Sequence, residues 1–249
     1  MKRKLRDGRT LIGSFIEIPS PQVVEVMGLA GFDFIIIDGE HGSIGLERTE
    51  EMIRAAAASG TSALVRVAEC DPVAIRRPLD MGAAGIHVPQ IETAEMAEAA
   101  VRAAKFHPRG ERGLQPFVRA AGYRSASTAE FLRRSNEETV VVLHIEGTRG
   151  VANLEEILAV DGVDVVFLGP YDLSQALGMP GEVRRPEVEE KMKESIALAR
   201  AAGKVVGTFC DDVETAERWR ALGAGYLAVG IDANIFLLAA RSIVDRLHG

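Results

Sequence analysis

Four short stretches of this 249-residue chain hold side chains suited to proton transfer, cation binding or carboxylate recognition. In Asp38-Gly39-Glu40-His41-Gly42 a histidine follows two carboxylates closely. A carboxylate beside an imidazole orients the ring and raises its basicity, so His41 is a candidate general base. The same triplet also reads as a polar loop in which Asp38 caps the next helix. Arg66 interrupts the apolar run Ala63-Leu64-Val65-Arg66-Val67, where a guanidinium is costly unless paired. It either clamps a substrate carboxylate bidentately or pairs with a nearby acid. His144 and Glu146 stand two apart on another apolar run, hence on one face of a strand. Asp172 follows the next such run, in Gly169-Pro170-Tyr171-Asp172. Glu146 and Asp172 are hard oxygen donors that suit Mg²⁺ or Mn²⁺ completed by water and substrate oxygens. The alternatives are a Glu146–Arg149 ion pair and a capping box of Asp172 with Gln175.

Absences narrow the chemistry. The lysines are Lys2, Lys4, Lys105, Lys191, Lys193 and Lys204, and none follows an apolar run where the candidates gather. Schiff-base chemistry needs a desolvated lysine in the site, so carbonyl activation falls to a metal and an arginine. Cys70 and Cys210 lack a neighbouring base. His87 reads as strand core, His107 as loop and His248 as tail.

The elements that must position these residues repeat along the chain. Apolar, Val- and Ile-rich runs cover 11–18, 33–38, 63–67, 85–88, 140–145, 164–168, 205–209 and 226–229, with helical periodicity at 46–58, 94–104, 188–202 and 215–222 between them. Strands buried on both faces read as continuous apolar runs, and parallel strands need helical crossovers. Glycine closes helices just before a strand at Gly31, Gly60, Gly82, Gly203 and Gly223, while Asp71-Pro72 opens one. Eight strand–helix units in one domain, 1–249, are expected to form a (β/α)₈ TIM barrel. A doubly wound open sheet is the alternative, but no G-x-G-x-x-G follows the first strand. In such a barrel the active site lies at the C-terminal strand ends, where Asp211, Asp212 and Asp232 join the candidates above. The long segment 106–127, rich in Gly, Arg and Ser, is expected to be a functional loop.

Composition excludes other classes. The net charge of -7 argues against nonspecific nucleic-acid binding, and no apolar run reaches the roughly 20 residues of a membrane span. The start Met-Lys-Arg-Lys turns polar again at Arg6-Asp7-Gly8-Arg9, unlike a secretory signal, and two cysteines make no disulfide framework. A cytoplasmic, globular protein is expected.

Asp38-Gly39-Glu40-His41-Gly42, Arg66, Ile145-Glu146 and above all Leu168-Gly169-Pro170-Tyr171-Asp172-Leu173-Ser174 resemble the HpcH/HpaI aldolase family, the metal-dependent pyruvate aldolases. The likeness runs from Gly13-Ser14-Phe15 to Ala228-Val229-Gly230-Ile231-Asp232. It implies a barrel of the phosphoenolpyruvate/pyruvate-binding type and reversible cleavage of 4-hydroxy-2-oxo acids to pyruvate and an aldehyde through a pyruvate enolate. It further implies Mg²⁺, Mn²⁺ or Co²⁺ on Glu146 and Asp172, with Arg66 on the keto oxygen. His41, oriented by Asp38, would relay the proton at the aldol hydroxyl, and Glu40 would hold a metal-bound water. Backbone amides of the Gly169, Pro170, Tyr171, Asp172 turn would fix the substrate carboxylate. A final helix packed on a neighbouring subunit, a hexamer built as a trimer of dimers, and Asp80 near an adjacent site are implied as well. Loops including 112–123, together with residues from another subunit, would choose the aldehyde.

His144 departs from the resemblance, since many members carry Gln there. It is read as a neutral, hydrogen-bonded pocket residue, the alternative being contact with the metal's water shell or acceptance of a proton by the ring itself. Two other lyase readings are an oxaloacetate decarboxylase and a citrate-lyase-type CoA-thioester lyase. The latter needs a basic groove, for which Arg112, Arg119, Arg124, Arg133 and Arg134 are the candidates. A barrel that only binds a carboxylate is the non-enzymatic reading.

Overall fold

Val- and Ile-rich segments form eight strands in the computed structural model, which describes residues 1–124 and 127–248. Ser125 and Ala126, within the expected 106–127 loop, lie outside the described residues. The strands are β1 (Leu11–Ile16), β2 (Phe34–Asp38), β3 (Ser62–Arg66), β4 (Gly85–Val88), β5 (Val140–Ile145), β6 (Val165–Leu168), β7 (Val205–Cys210) and β8 (Tyr226–Ile231). Each pairs in parallel with its sequence neighbour, and β8 returns to β1 to close the barrel. The continuous apolar runs follow from burial on both faces. In β2, Phe34 and Ile36 point into the barrel, whereas Ile35 and Ile37 pack outward against helices.

The first half of the ring of helices is α2 (Pro21–Leu29), α3 (Leu46–Ser59), α4 (Pro72–Asp80), α5 (Ala94–Ala104) and α6 (Thr128–Glu138). The second half is α7 (Thr148–Ala152), α8 (Leu154–Leu158), α9 (Pro170–Ala176), α10 (Pro186–Ala201) and α11 (Val213–Leu222). Asp71 caps α4 as expected, its carboxylate accepting from the Val73 and Ala74 amides. Gly60 and Gly223, at φ 80° and 107°, end α3 and α11 in the left-handed conformation. The first strand stops two residues short of the expected 11–18 because the Glu17 and Ile18 amides leave the ladder for the Asp232 carboxylate, at 2.9 and 3.0 Å.

A short opening helix, α1 (Lys2–Arg6), closes the N-terminal end of the barrel. Leu5 joins the inner core, and Lys2 Nζ donates to the Thr139 carbonyl at 3.2 Å and to Asp164 at 2.8 Å. Above this plug, the Phe34 and Tyr226 rings stack at 4.0 Å. Gly13 makes room for them, since a Cβ there would fall 2.1 Å from the Phe34 ring. The chain ends in α12 (Asp232–His248), whose one buried residue is Asp232. Phe236 is 71% and Leu247 79% exposed on this helix. Among the described residues no helix is long and apolar enough to cross a membrane.

The segment 106–127, expected to be a functional loop, is anchored to the end of a helix. Arg112 pairs with Asp80 at 2.6 Å and Arg119 donates to the Met81 carbonyl, so both are tied to the end of α4, at the N-terminal end of the barrel. Within one subunit this loop therefore lies opposite the strand C-termini. Asp80 is occupied by Arg112 there.

Candidate active site

A cavity of about 430 Å³ opens at the C-terminal strand ends, lined among others by Phe15, His41, Arg66, His144, Glu146, Phe167 and Asp172. A larger cleft of about 1000 Å³ lies at the opposite end, beneath α1. Its size reflects a gap between α1 and the loops, whereas the smaller cavity is where acid, base and guanidinium converge. Chemistry, not volume, marks the site.

Arg66, the last residue of β3, is held by its neighbours. Its Nε and Nη2 donate to the two Asp38 oxygens at 2.9 and 2.6 Å, and Nη1 lies 3.1 Å from Glu40. The guanidinium also sits 4.7 Å over the Phe15 ring. Both sequence readings meet here: the arginine is paired with rim acids, and its remaining N–H groups are available to a substrate oxygen. Burial works to raise the Asp38 pKa, but Arg66 overrides it and holds the carboxyl below its ordinary value. Glu40 is shifted up, by burial first, with Arg66 opposing and Glu146 adding repulsion.

Asp38 does not orient the His41 ring, contrary to expectation. Its Oδ1 accepts the backbone amides of Glu40 and His41 at 3.0 and 3.2 Å, which shapes the turn rather than capping α3. The N-cap of α3 is Gly45. The His41 ring is 67% exposed, and Nε2 stands 3.8 Å from Glu40. Glu40 is thus the carboxylate beside the ring.

Glu146 follows β5 and is buried. Its Oε1 accepts from His144 Nδ1 at 2.8 Å and its Oε2 from the Gln90 amide at 3.3 Å. Burial works to raise its pKa, yet the hydrogen bond from His144, with Arg66 and the Gln90 amide, holds it below the ordinary value. The Arg149 alternative fails, because Arg149 reaches Glu92 instead, at 3.1 Å. Asp172, in the first turn of α9, does not form the expected capping box: Gly169 is the N-cap and no side chain caps the helix. The Asp172 pKa is raised, by burial first and then by Glu146. The two carboxylates flank Gly169, where an added Cβ would lie 2.9 Å from Glu146 Cγ and 3.3 Å from Asp172 Oδ2. Tyr171 lines the cavity, its hydroxyl donating to Asp211 at 2.5 Å.

The remaining rim acids are structural: Asp212 caps α11, and Asp232 ties the end of β1. Lysines are absent from the cavity lining, as expected. The buried Lys105, drawn down to about 7 by burial and by Lys2, lies at the closed end with Nζ 2.6 Å from the Thr139 carbonyl. Of the arginines considered for a CoA groove, Arg112 and Arg119 lie at that end too, and Arg133 and Arg134 pair along α6 with Glu137 and Glu138. His87 is buried strand core, as read from the sequence, but its polar partners and Tyr226 were missed. His87 Nδ1 lies 2.7 Å from His144 Nε2, and His87 Nε2 lies 2.8 Å from the Tyr226 hydroxyl. The available signal was a polar residue at an inward position of each of β4, β5 and β8.

Comparison with known proteins agrees along the whole chain. The family model described as HpcH/HpaI aldolase/citrate lyase matches residues 11–239. A hydroxypyruvate/pyruvate aldolase of Pseudomonas aeruginosa is 35% identical over 248 residues, covering 100% of this chain and 92% of that one. A 4-hydroxy-2-oxo-heptane-1,7-dioate aldolase of Shigella sonnei is 35% identical over 245 residues, covering 98% and 93%. The crystal structure of an HpcH/HpaI aldolase/citrate lyase family protein from Burkholderia cenocepacia superposes with a TM-score of 0.95 at 34% identity, covering 100% of this chain and 98% of that one.

Proposed function

The chain belongs to the HpcH/HpaI aldolase/citrate lyase family, and on that premise we propose that this carbon–carbon lyase cleaves and forms 4-hydroxy-2-oxo acids, with pyruvate and an aldehyde as products. The observation that carries this reading is the Glu146–Asp172 pair around Gly169. Two carboxylates brought together around Gly169 suit a cation, and Asp172 is shifted upward by burial first and by the nearby Glu146 second. Among the described residues no group of three or more His, Cys, Asp or Glu could hold a metal. The protein thus offers two carboxylates, which fits a hard ion such as Mg²⁺, Mn²⁺ or Co²⁺ that keeps water and substrate oxygens as its other ligands. Glu146 and Asp172 would hold that ion, which supplies Lewis acidity at the substrate's keto oxygen.

The chain's own groups do the rest. Arg66, fixed by Asp38 and Glu40, presents its remaining N–H groups to the same oxygen as charge grows there. His41, with Glu40 beside it, takes the proton from the C4 hydroxyl as the C3–C4 bond breaks. The bonding pair passes to C3 as the pyruvate enolate, and the aldehyde carbonyl forms at C4. A proton then returns to C3 to give pyruvate. Amides of the Gly169–Asp172 turn bind the substrate carboxylate, and Tyr171 narrows the mouth. The exposed apolar side of α12, with Phe236, Ile243 and Leu247 in water, is the surface a second subunit would cover in a hexameric, cytoplasmic enzyme. Asp80 would support an adjacent site in that assembly.

Pyruvate release from a 4-hydroxy-2-oxo acid tests this. EDTA is expected to abolish it, Mg²⁺, Mn²⁺ or Co²⁺ to restore it, and Glu146→Gln to lower it by more than about 100-fold. Cleavage that resists EDTA, or a borohydride-trapped pyruvate adduct, overturns the reading.

A further inference from the structure

Behind Glu146 runs a line of polar groups that the reaction itself does not touch. His144 Nδ1 is 2.8 Å from Glu146 Oε1, His144 Nε2 is 2.7 Å from His87 Nδ1, and His87 Nε2 is 2.8 Å from the Tyr226 hydroxyl. These residues come from β5, β4 and β8, and His87, His144 and Tyr226 are 0%, 1% and 0% exposed. Each gap needs one hydrogen, and the two ends decide where it sits. An ionised Glu146 can only accept, so His144 Nδ1 carries hydrogen. At the far end His87 is the hydroxyl's one partner among the described residues. A buried O–H that fails to donate is costly, so His87 Nε2 is bare. Both ends give the same answer: His87 Nδ1–H donates to a bare His144 Nε2. Two neutral rings then use every donor and acceptor in the line once. The Phe167 ring stacks on His144 at 4.5 Å and holds one face of that imidazole, while the His87 ring meets it edge-on.

We propose that His87 and Tyr226 are positioning residues that act through His144, fixing its tautomer so that an N–H always faces Glu146 and holds that carboxylate in one orientation. The proposal rests on Glu146 as a holder of the metal. Without the Tyr226 hydroxyl, His87 can place its hydrogen on Nε2 and turn Nδ1 into an acceptor. His144 then meets acceptors on both sides and cannot satisfy both while neutral. Burial also draws the His87 pKa well below its ordinary value, in keeping with a neutral ring.

Two measurements test the proposal. Nitrogen-15 shifts of the histidine rings in the metal-free protein are expected to show Nδ1–H on both His87 and His144; hydrogen on Nε2 of either overturns it. Calorimetric titration with Mn²⁺ is expected to show Tyr226→Phe weakening binding by about 10-fold, the low end of what partners behind a metal ligand contribute. In a His144→Gln background the same substitution is expected to change nothing, because a carboxamide donates to Glu146 whatever stands behind it. Equal losses in both backgrounds mean altered packing and overturn the proposal. His87→Leu, compared across the same two backgrounds, replaces Tyr226→Phe if that variant does not fold. Wild-type protein that binds no Mn²⁺ overturns the metal reading of Glu146 and this role with it; a wrong tautomer with Mn²⁺ binding intact overturns this role alone.

Discussion

Arg66 shows how a reactive group in this barrel is also a structural one. Its partner Asp38 is fully buried, so replacing Arg66 with Met strands a carboxylate in the interior. Breaking one side of a buried pair costs about 3–5 kcal/mol, and urea denaturation at pH 7 is expected to show that loss. The sign with pH follows from the lowered Asp38 pKa. A depressed carboxyl contributes stability above its unfolded value of about 4, and the contribution is lost as pH falls through the folded value. The difference between wild type and Arg66→Met is therefore expected to shrink as the pH is taken below about 4. Sequence could place Arg66 on an apolar strand and demand a partner for it. It could not say that Asp38 and Glu40 both supply one, because that depends on β2 and β3 lying side by side with Asp38 opposite Arg66. The histidine chain stayed hidden for the same reason: His87, His144 and Tyr226 are far apart in sequence and meet only when the barrel closes.

Among the elements, the turn from β6 into α9 decides whether two carboxylates can share an ion. Gly169 begins the helix and Pro170 presets its first turn, which brings Asp172 back over Glu146. Gly169→Ala introduces a methyl group 2.9 Å from Glu146 Cγ. It is expected to raise the metal concentration needed for half-maximal activity by about 10-fold or more, with little change in thermal melting; unaltered metal dependence would show that the turn has slack. Strand order, strand number and the joints at Gly60, Asp71 and Gly223 were legible because they rest on local rules of apolar patterning and Gly, Asp or Pro at the joints, whereas the Asp38 and Asp172 caps were not, since both carboxylates turn to the site. The course of 106–127 was not, because Arg112 and Arg119 are fixed by the distant end of α4 rather than by their neighbours.

At the scale of the whole molecule, α12 leaves the barrel with Phe236, Ile243 and Leu247 exposed. Phe236→Asp combined with Leu247→Asp is expected to lower the sedimenting mass and make activity depend on protein concentration. A wild-type chain that sediments alone removes the argument for assembly. The closed end of the barrel has another consequence. With α1, Leu5 and the Lys2–Asp164 pair beneath the Phe34–Tyr226 stack, the described residues plug the strand N-termini, and the cavity opens at the strand C-termini. Whatever is gripped at the bottom, beside Arg66 and Glu146, must wait for whatever lies above it. The aldehyde fragment is therefore expected to leave first and pyruvate last, with pyruvate inhibiting competitively and the aldehyde noncompetitively in steady-state assays of cleavage. The plug that seals the floor thereby sets the sequence of departures.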